Sequence, residues 1–125
     1  MYRTEEFEMT TVTFYKRKGV YYGFHESGHT GYAEEGEDIL CSALSAMTML
    51  MINTIEISYA ATVDYTYDAE SADITFKVKS ALPEYEKDEK KQFAISGLLQ
   101  GYFMQLMDLT EEYYDFLTVE EVEDK

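Results

Sequence analysis

A two-layer α+β domain is what this sequence predicts, and three patterns predict it. Several short segments alternate apolar and polar residues with the period of two that a strand imposes. Two longer stretches, one after the second such segment and one after the fourth, carry apolar residues at helical spacing. Turn residues separate the segments, giving the order β-β-α-β-β-α-β. A mainly antiparallel sheet with two helices on one face buries these surfaces most simply. With 125 residues, 46% of them hydrophobic, the chain has enough apolar side chain for the core of one domain.

The elements follow in order. Residues 1–8 contain Glu5, Glu6 and Glu8 and show no alternation, so they read as a loose N-terminal extension. The domain itself spans 9–119. Thr11 to Arg17 places Val12 and Phe14 on one face, Lys18-Gly19 supplies a tight turn, and Val20 to Ser27 places Val20, Tyr22 and Phe24 on one face. Together they predict a hairpin. Residues 27–38 form a loop with Gly28, Gly31 and Gly36, and Asp38 stands where a helix N-cap belongs. The helix from Ile39 to about Asn53 is apolar almost all round and is expected in the middle of the fold. Val63 to Tyr67 and Asp73 to Lys79 are two more strands, joined by a turn at 68–71. Pro83 is expected to open a second helix running from about Glu84 to Met107. Tyr114 to Val119 is the last strand, and residues 120–125 are an acidic tail.

Charge and cysteine usage narrow the function classes. The formal net charge is −15, with eight of the 25 acidic residues between Asp108 and Asp124. Such a surface repels phosphates and anionic lipid and attracts a basic partner. Cys41 is the only cysteine, so no disulfide within the chain and no multi-cysteine zinc site is possible. No apolar leader follows the charged N-terminus. The apolar stretch Ile39 to Ile57 is broken by Ser42, Ser45, Thr48, Asn53, Thr54 and Glu56 and is expected to be a buried helix rather than a membrane span. A cytoplasmic protein is the expectation.

Chemistry converges on Cys41 and His29. With Asp38 as N-cap, Cys41 falls at the third helical position, where unpaired N–H groups and the helix dipole stabilise a thiolate. Free cysteines are more often small buried hydrophobes, and composition alone favours that bland role. His29, between Gly28 and Thr30, lies on no apolar face, and the loop that follows it can fold back toward Cys41. An imidazole beside the thiol takes its proton and activates it. His25 competes, but its phase in the second strand makes it a solvated strand residue. Asp38 either caps the helix or orients His29. Ser45, one turn after Cys41 on the same face, either bonds the sulfur or packs closely. The loop glycines Gly28, Gly31 and Gly36 suit a flap over an extended peptide, or an ordinary surface loop. Glu34, Glu35 and Glu37 oppose a thiolate, but weakly. An imidazolium about 4 Å from sulfur is worth roughly 4 kcal/mol at an effective dielectric near 20, against roughly 0.4 kcal/mol for each solvated glutamate about 10 Å away. Neither a phosphate loop nor a dinucleotide fingerprint nor a metal-type histidine pair is present, so neither cofactor nor metal is expected.

The 18 residues from Gly28 to Ser45 carry a resemblance. Gly28-His29, Tyr32, Gly36-Glu37-Asp38 and Cys41-Ser42-Ala43-Leu44-Ser45, at this spacing, closely resemble the signature of the Prp family of ribosomal-processing cysteine proteases. Thr30 and Leu40 stand where Ala and Val are usual. The resemblance implies a protease with Cys41 as nucleophile, His29 as base, and Asp38 and Ser45 as the other polar positions of the site. It implies a ribosomal protein substrate, the N-terminal extension of large-subunit protein twenty-seven, and a homodimer. Two alternatives use fewer of these features. A non-catalytic module for a basic ribosomal protein or peptide needs only the charge and the flap. A thiol redox sensor needs only Cys41, but lacks an internal resolving cysteine.

Overall fold

The computed structural model describes residues 9–28, 35–71 and 73–124, with residues 35–38 described as backbone. Five strands form one mixed sheet: β1 (Thr10–Arg17), β2 (Val20–Ser27), β3 (Asp64–Tyr67), β4 (Ile74–Lys77) and β5 (Leu117–Asp124), in the order β3-β4-β2-β1-β5. All pairings are antiparallel except that of β1 with β5, which is parallel. Helices α1 (Glu35–Asn53) and α2 (Glu89–Glu112) join the sheet in a single apolar core, giving the expected two-layer α+β arrangement.

Cross-strand pairing of aromatics builds the sheet face of that core. Phe14 lies opposite Phe24, and Phe24 opposite Phe76. The Phe24 and Phe76 rings stack at 4.7 Å, and Phe14 tilts on Phe24 at 5.6 Å. Tyr102 of α2 covers both Phe14 and Phe24, at 5.7 and 5.1 Å. Such pairs contribute about 0.5–1.5 kcal/mol each beyond simple burial.

The hairpin departs from strict alternation. Its register slips between Tyr15 and Lys16, because β2 spends one extra residue there. The bulge reverses the phase. Tyr21, not Tyr22, stacks on Phe103 of α2, while Tyr22 lies beside Tyr15 and Arg17. Gly23 sits at this bulge, and a Cβ there would collide with the Phe76 carbonyl of the neighbouring strand.

Both helices begin elsewhere than expected. Helix α1 starts at Glu35, a full turn before Ile39, so Asp38 lies inside the helix and is not its N-cap. Acidic residues suit a first turn through the helix dipole, and Glu35, Glu37 and Asp38 supply three. Helix α2 starts at Glu89, not near Glu84. The Asp88 carboxylate accepts hydrogen bonds from the N–H groups of Lys90 (3.1 Å) and Lys91 (3.2 Å), which makes it the cap. Pro83 belongs instead to a separate turn closed by Tyr85 and Glu86 N–H groups on the Leu82 carbonyl.

Helix α1 is also not buried all round. Leu40, Leu44, Thr48, Met51 and the following Ile55 form one buried stripe, while Ile39, Met49 and Leu50 are exposed. A π-helical turn, Thr54–Ser58, ends it. By length and composition the stretch Ile39–Ser58, of mean hydropathy 1.5, is apolar enough to cross a membrane, contrary to expectation. Its buried stripe packs into the core beneath the sheet.

Strand β5 extends through Asp124, so residues 120–124 are strand and not a tail. Side chains fasten its acidic end to the hairpin. Lys16 pairs with Glu121 at 2.9 Å, the Tyr21 hydroxyl donates to Glu121, Arg17 pairs with Asp124 at 3.1 Å, and the Tyr22 hydroxyl donates to Asp124.

Candidate active site

The site helix positions three of the residues singled out by sequence. Cys41 and Ser45, four residues apart along α1, share a face, and Asp38 precedes Cys41 in the same helix by three residues. Cys41 is half-buried with a free thiol, beside the buried Leu40 and Leu44, and Ser45 is exposed. The earlier start of α1 moves Cys41 from the first turn to the second. Its N–H is therefore inside the helical ladder, and the unpaired N–H groups belong to the turn before it. Donors for an oxyanion are thus to be sought one turn ahead of Cys41, and the dipole acts on the thiol less strongly than a first-turn position would allow.

His29 and Gly31 lie outside the described residues. Gly36 is in α1 and not in a loop. Gly28 follows β2 with a φ of +88°, and its missing Cβ leaves room for the Met9 carbonyl. A backbone fit therefore accounts for this glycine. His25, on the side of β2 opposite Phe24, is not simply solvated. Its Nδ1 lies 3.0 Å from Thr75 Oγ1 and its Nε2 3.4 Å from Asp73.

Sequence reasoning missed a buried polar cluster at the base of this region. Glu26, only 1% exposed, accepts a 2.7 Å hydrogen bond from the Tyr102 hydroxyl. Burial, then the Glu26 charge, holds the Tyr102 pKa well above the ordinary phenol value. Thr48 of α1 is buried as well, and its Oγ1 has no hydrogen-bond partner among the described residues. The signal for Glu26 was its phase: it stands two residues after Phe24, on the buried side of β2. Among the described residues no group of three or more His, Cys, Asp or Glu side chains could hold a metal ion. A groove of 240 Å³ between α1 and α2 is lined by Met47, Leu50, Leu98 and Gly101, away from Cys41 on the circumference of α1.

Comparison with known proteins places this arrangement. The family model described as cysteine protease Prp matches residues 9–118. Among solved structures, SMU.848 from Streptococcus mutans is similar with a TM-score of 0.75 and 25% identity, over 93% of this chain and 99% of that one. The ribosomal processing protease Prp from S. aureus, in complex with a substrate peptide, is similar with a TM-score of 0.73 and 21% identity, over 91% and 100%. The same S. aureus protease with a covalently linked product peptide gives a TM-score of 0.71, also at 21% identity and over 91% and 100%. No curated protein matches the chain.

Proposed function

The chain belongs to the cysteine protease Prp family, and from that premise we propose that it removes the N-terminal extension of large-subunit ribosomal protein twenty-seven, using Cys41 and His29. One observation carries the assignment of the nucleophile. A cysteine protease needs a reactive thiol, and this chain has a single cysteine. A similar elimination supports the base. Of two histidines, His25 is engaged with Thr75 and Asp73 on the sheet, which leaves His29.

In the proposed reaction His29 takes the Cys41 proton, and the thiolate attacks the scissile carbonyl. Collapse of the tetrahedral intermediate breaks the C–N bond, and the proton passes from His29 to the leaving amine. Water then cleaves the thioester and restores the thiol. Asp38 and Ser45, one turn either side of Cys41, are the supporting polar residues. The S. aureus relative with a covalently linked product peptide is consistent with a nucleophile of this kind. That protein is named as a ribosomal processing protease, which supports a ribosomal protein substrate here. The net charge of −15 favours a lysine-bearing extension. The reading is of a cytoplasmic enzyme without direct contact to nucleic acid or membrane. It makes the enzyme a homodimer, which the exposed Ile39, Met49 and Leu50 support.

The test is cleavage of a peptide matching the N-terminus of the organism's own protein, followed by mass spectrometry. Cys41→Ala should abolish cleavage, and His29→Ala should lower kcat by about 10²–10⁴-fold. Undiminished cleavage by Cys41→Ala would refute the assignment.

A further inference from the structure

Of the 10 basic residues in the chain, Arg17, Lys77, Lys79 and Lys91 line two adjoining cavities beside the hairpin-turn end of the sheet. The smaller, of 200 Å³, lies against Tyr22, Leu82 and Tyr85, and the larger, of 330 Å³, against Ala60, Thr62 and Ser80. Asp64 and Lys79 line both, so the two adjoin, and together they fall within the range of about 300–1,000 Å³ usual for small-ligand sites. With 25 carboxylates to 10 cations, a lysine of this chain should readily find an acidic partner. Yet Lys77, Lys79 and Lys91 form no ion pair among the described residues. Lys77 lies over the Tyr15 ring at 4.9 Å and Lys79 over the Tyr85 ring at 5.6 Å. The Lys91 ammonium donates to the Ala60 carbonyl at 3.2 Å, and Ala60 itself holds a left-handed φ of +54°. A ring face or a carbonyl orients an ammonium without neutralising it. Arg17 differs, because Asp124 and Glu84 already hold it. Three positive charges thus remain for a ligand, offset in part by Asp64 in the lining and Glu86 near Lys91.

The two lobes make different demands on that ligand. Ammonium groups bind phosphate as point charges, and several around one cavity suit a group whose charge is spread over several oxygens. In the smaller lobe Tyr22 and Leu82 are buried, while Tyr85 is 53% exposed. Aromatic and apolar walls beside cations accept a planar ring that carries an anionic substituent. We propose that the paired cavities bind a free mononucleotide, with its phosphate on Lys79 and Lys91 and its base against Tyr85. The net charge of −15 opposes any anion at long range, so the binding comes from local contact and weakens with salt. The site stands apart from the proposed hydrolytic centre. The π-helical turn before Ala60 ends at Ser58, about 25 Å of helix beyond Cys41. The proposal therefore does not rest on the hydrolytic reading.

Nuclear magnetic resonance on the full-length, nitrogen-labelled chain tests it, with adenosine monophosphate as the probe at low salt. The amides of residues 60–64 and 79–85 should shift and saturate. Lys79→Gln should raise the Kd by about 10-fold, the loss of one charge-assisted hydrogen bond. Adenosine without its phosphate should bind at least about 10-fold more weakly for the same reason. Tyr85→Leu should weaken adenosine monophosphate and leave inorganic phosphate unchanged. Should Tyr85→Leu fail to fold, Lys79→Gln, at an exposed position, still decides the question. Absence of saturable shifts in the wild type overturns the proposal, as does a Kd untouched by Lys79→Gln. Inorganic phosphate that binds as tightly as the nucleotide removes the role of the ring and overturns the assignment to a nucleotide. Tighter binding of a short single-stranded RNA, with shifts spreading beyond the two cavities, overturns the assignment to a free small ligand.

Discussion

Lys18 occupies a backbone conformation better suited to another residue. Its φ is +52° and that of Gly19 is +80°, the pair of positive values that marks a type I′ turn. Glycine meets this demand freely, whereas an ordinary side chain is crowded there. Asparagine bonds its own backbone locally and tolerates the region, so Lys18→Asn should stabilise the fold by about 0.5 kcal/mol. Calorimetry would read this as a rise of about 2 °C in Tm. Gly28→Ala should do the reverse. It combines a φ of +88° with a Cβ driven against the Met9 carbonyl, and chemical denaturation should show a loss of about 2 kcal/mol or more. Residue type was the legible part of the site. A single cysteine and two histidines limit a Cys/His pair to Cys41 with His25 or His29, and the proposal of His29, Asp38 and Ser45 rests on the resemblance of residues 28–45 to the Prp signature. Their setting was less legible, because an aspartate before an apolar run looks the same whether it caps a helix or follows its first turn.

Charge and hydrophobic pattern gave different fidelity for different elements. The alternation of β1 and β4 and the 3.6-residue spacing of α2 were visible because each buries one face. The bulge in β2 was not, since an extra residue leaves no compositional mark. The length of β5 was hidden for a related reason. Its second half, Glu120-Glu121-Val122-Glu123-Asp124, looks like a solvated tail, yet it is ordered beside β1 by cross-strand partners 100 or more residues away in sequence. Those partners make the element pH-sensitive. The Lys16 ammonium and then the Tyr21 hydroxyl hold Glu121 below its ordinary 4.5. The Tyr22 hydroxyl and then Arg17 hold Asp124 below 3.8. A carboxylate with a depressed folded-state pKa contributes stability above its unfolded value and loses it as pH falls through the folded one. The contribution of this latch should therefore be intact at pH 7 and begin to fade below about pH 4.5, continuing as Asp124 is protonated. Hydrogen exchange should show the β5 amides beyond Leu117 losing protection at pH 3.5, before those of β2. Equal protection across the sheet at both pH values would count against the latch.

At the scale of the whole molecule, the distribution of charge decides how a substrate arrives. A net charge of −15 on 125 residues sets a field that reaches beyond any single contact. Its range is that of the Debye length, about 30 Å at 0.01 M salt and about 8 Å at 0.15 M. A peptide carrying lysines is drawn toward such a surface across many ångströms at low salt and meets the same field only near contact at physiological salt. The chemistry proposed at Cys41 would take place within hydrogen-bonding distance and be screened far less. Association and catalysis should therefore separate on a salt axis. Between 0.01 M and 0.15 M salt, kcat/KM for the lysine-bearing ribosomal-protein peptide should fall by about 10-fold, the lower end of what electrostatic steering supplies, while kcat stays nearly constant. A matched peptide with its lysines replaced by glutamine should show little salt dependence in either parameter. If both peptides lost kcat/KM equally, the acidic surface would be serving solubility alone, and recognition of the extension would rest on its apolar residues.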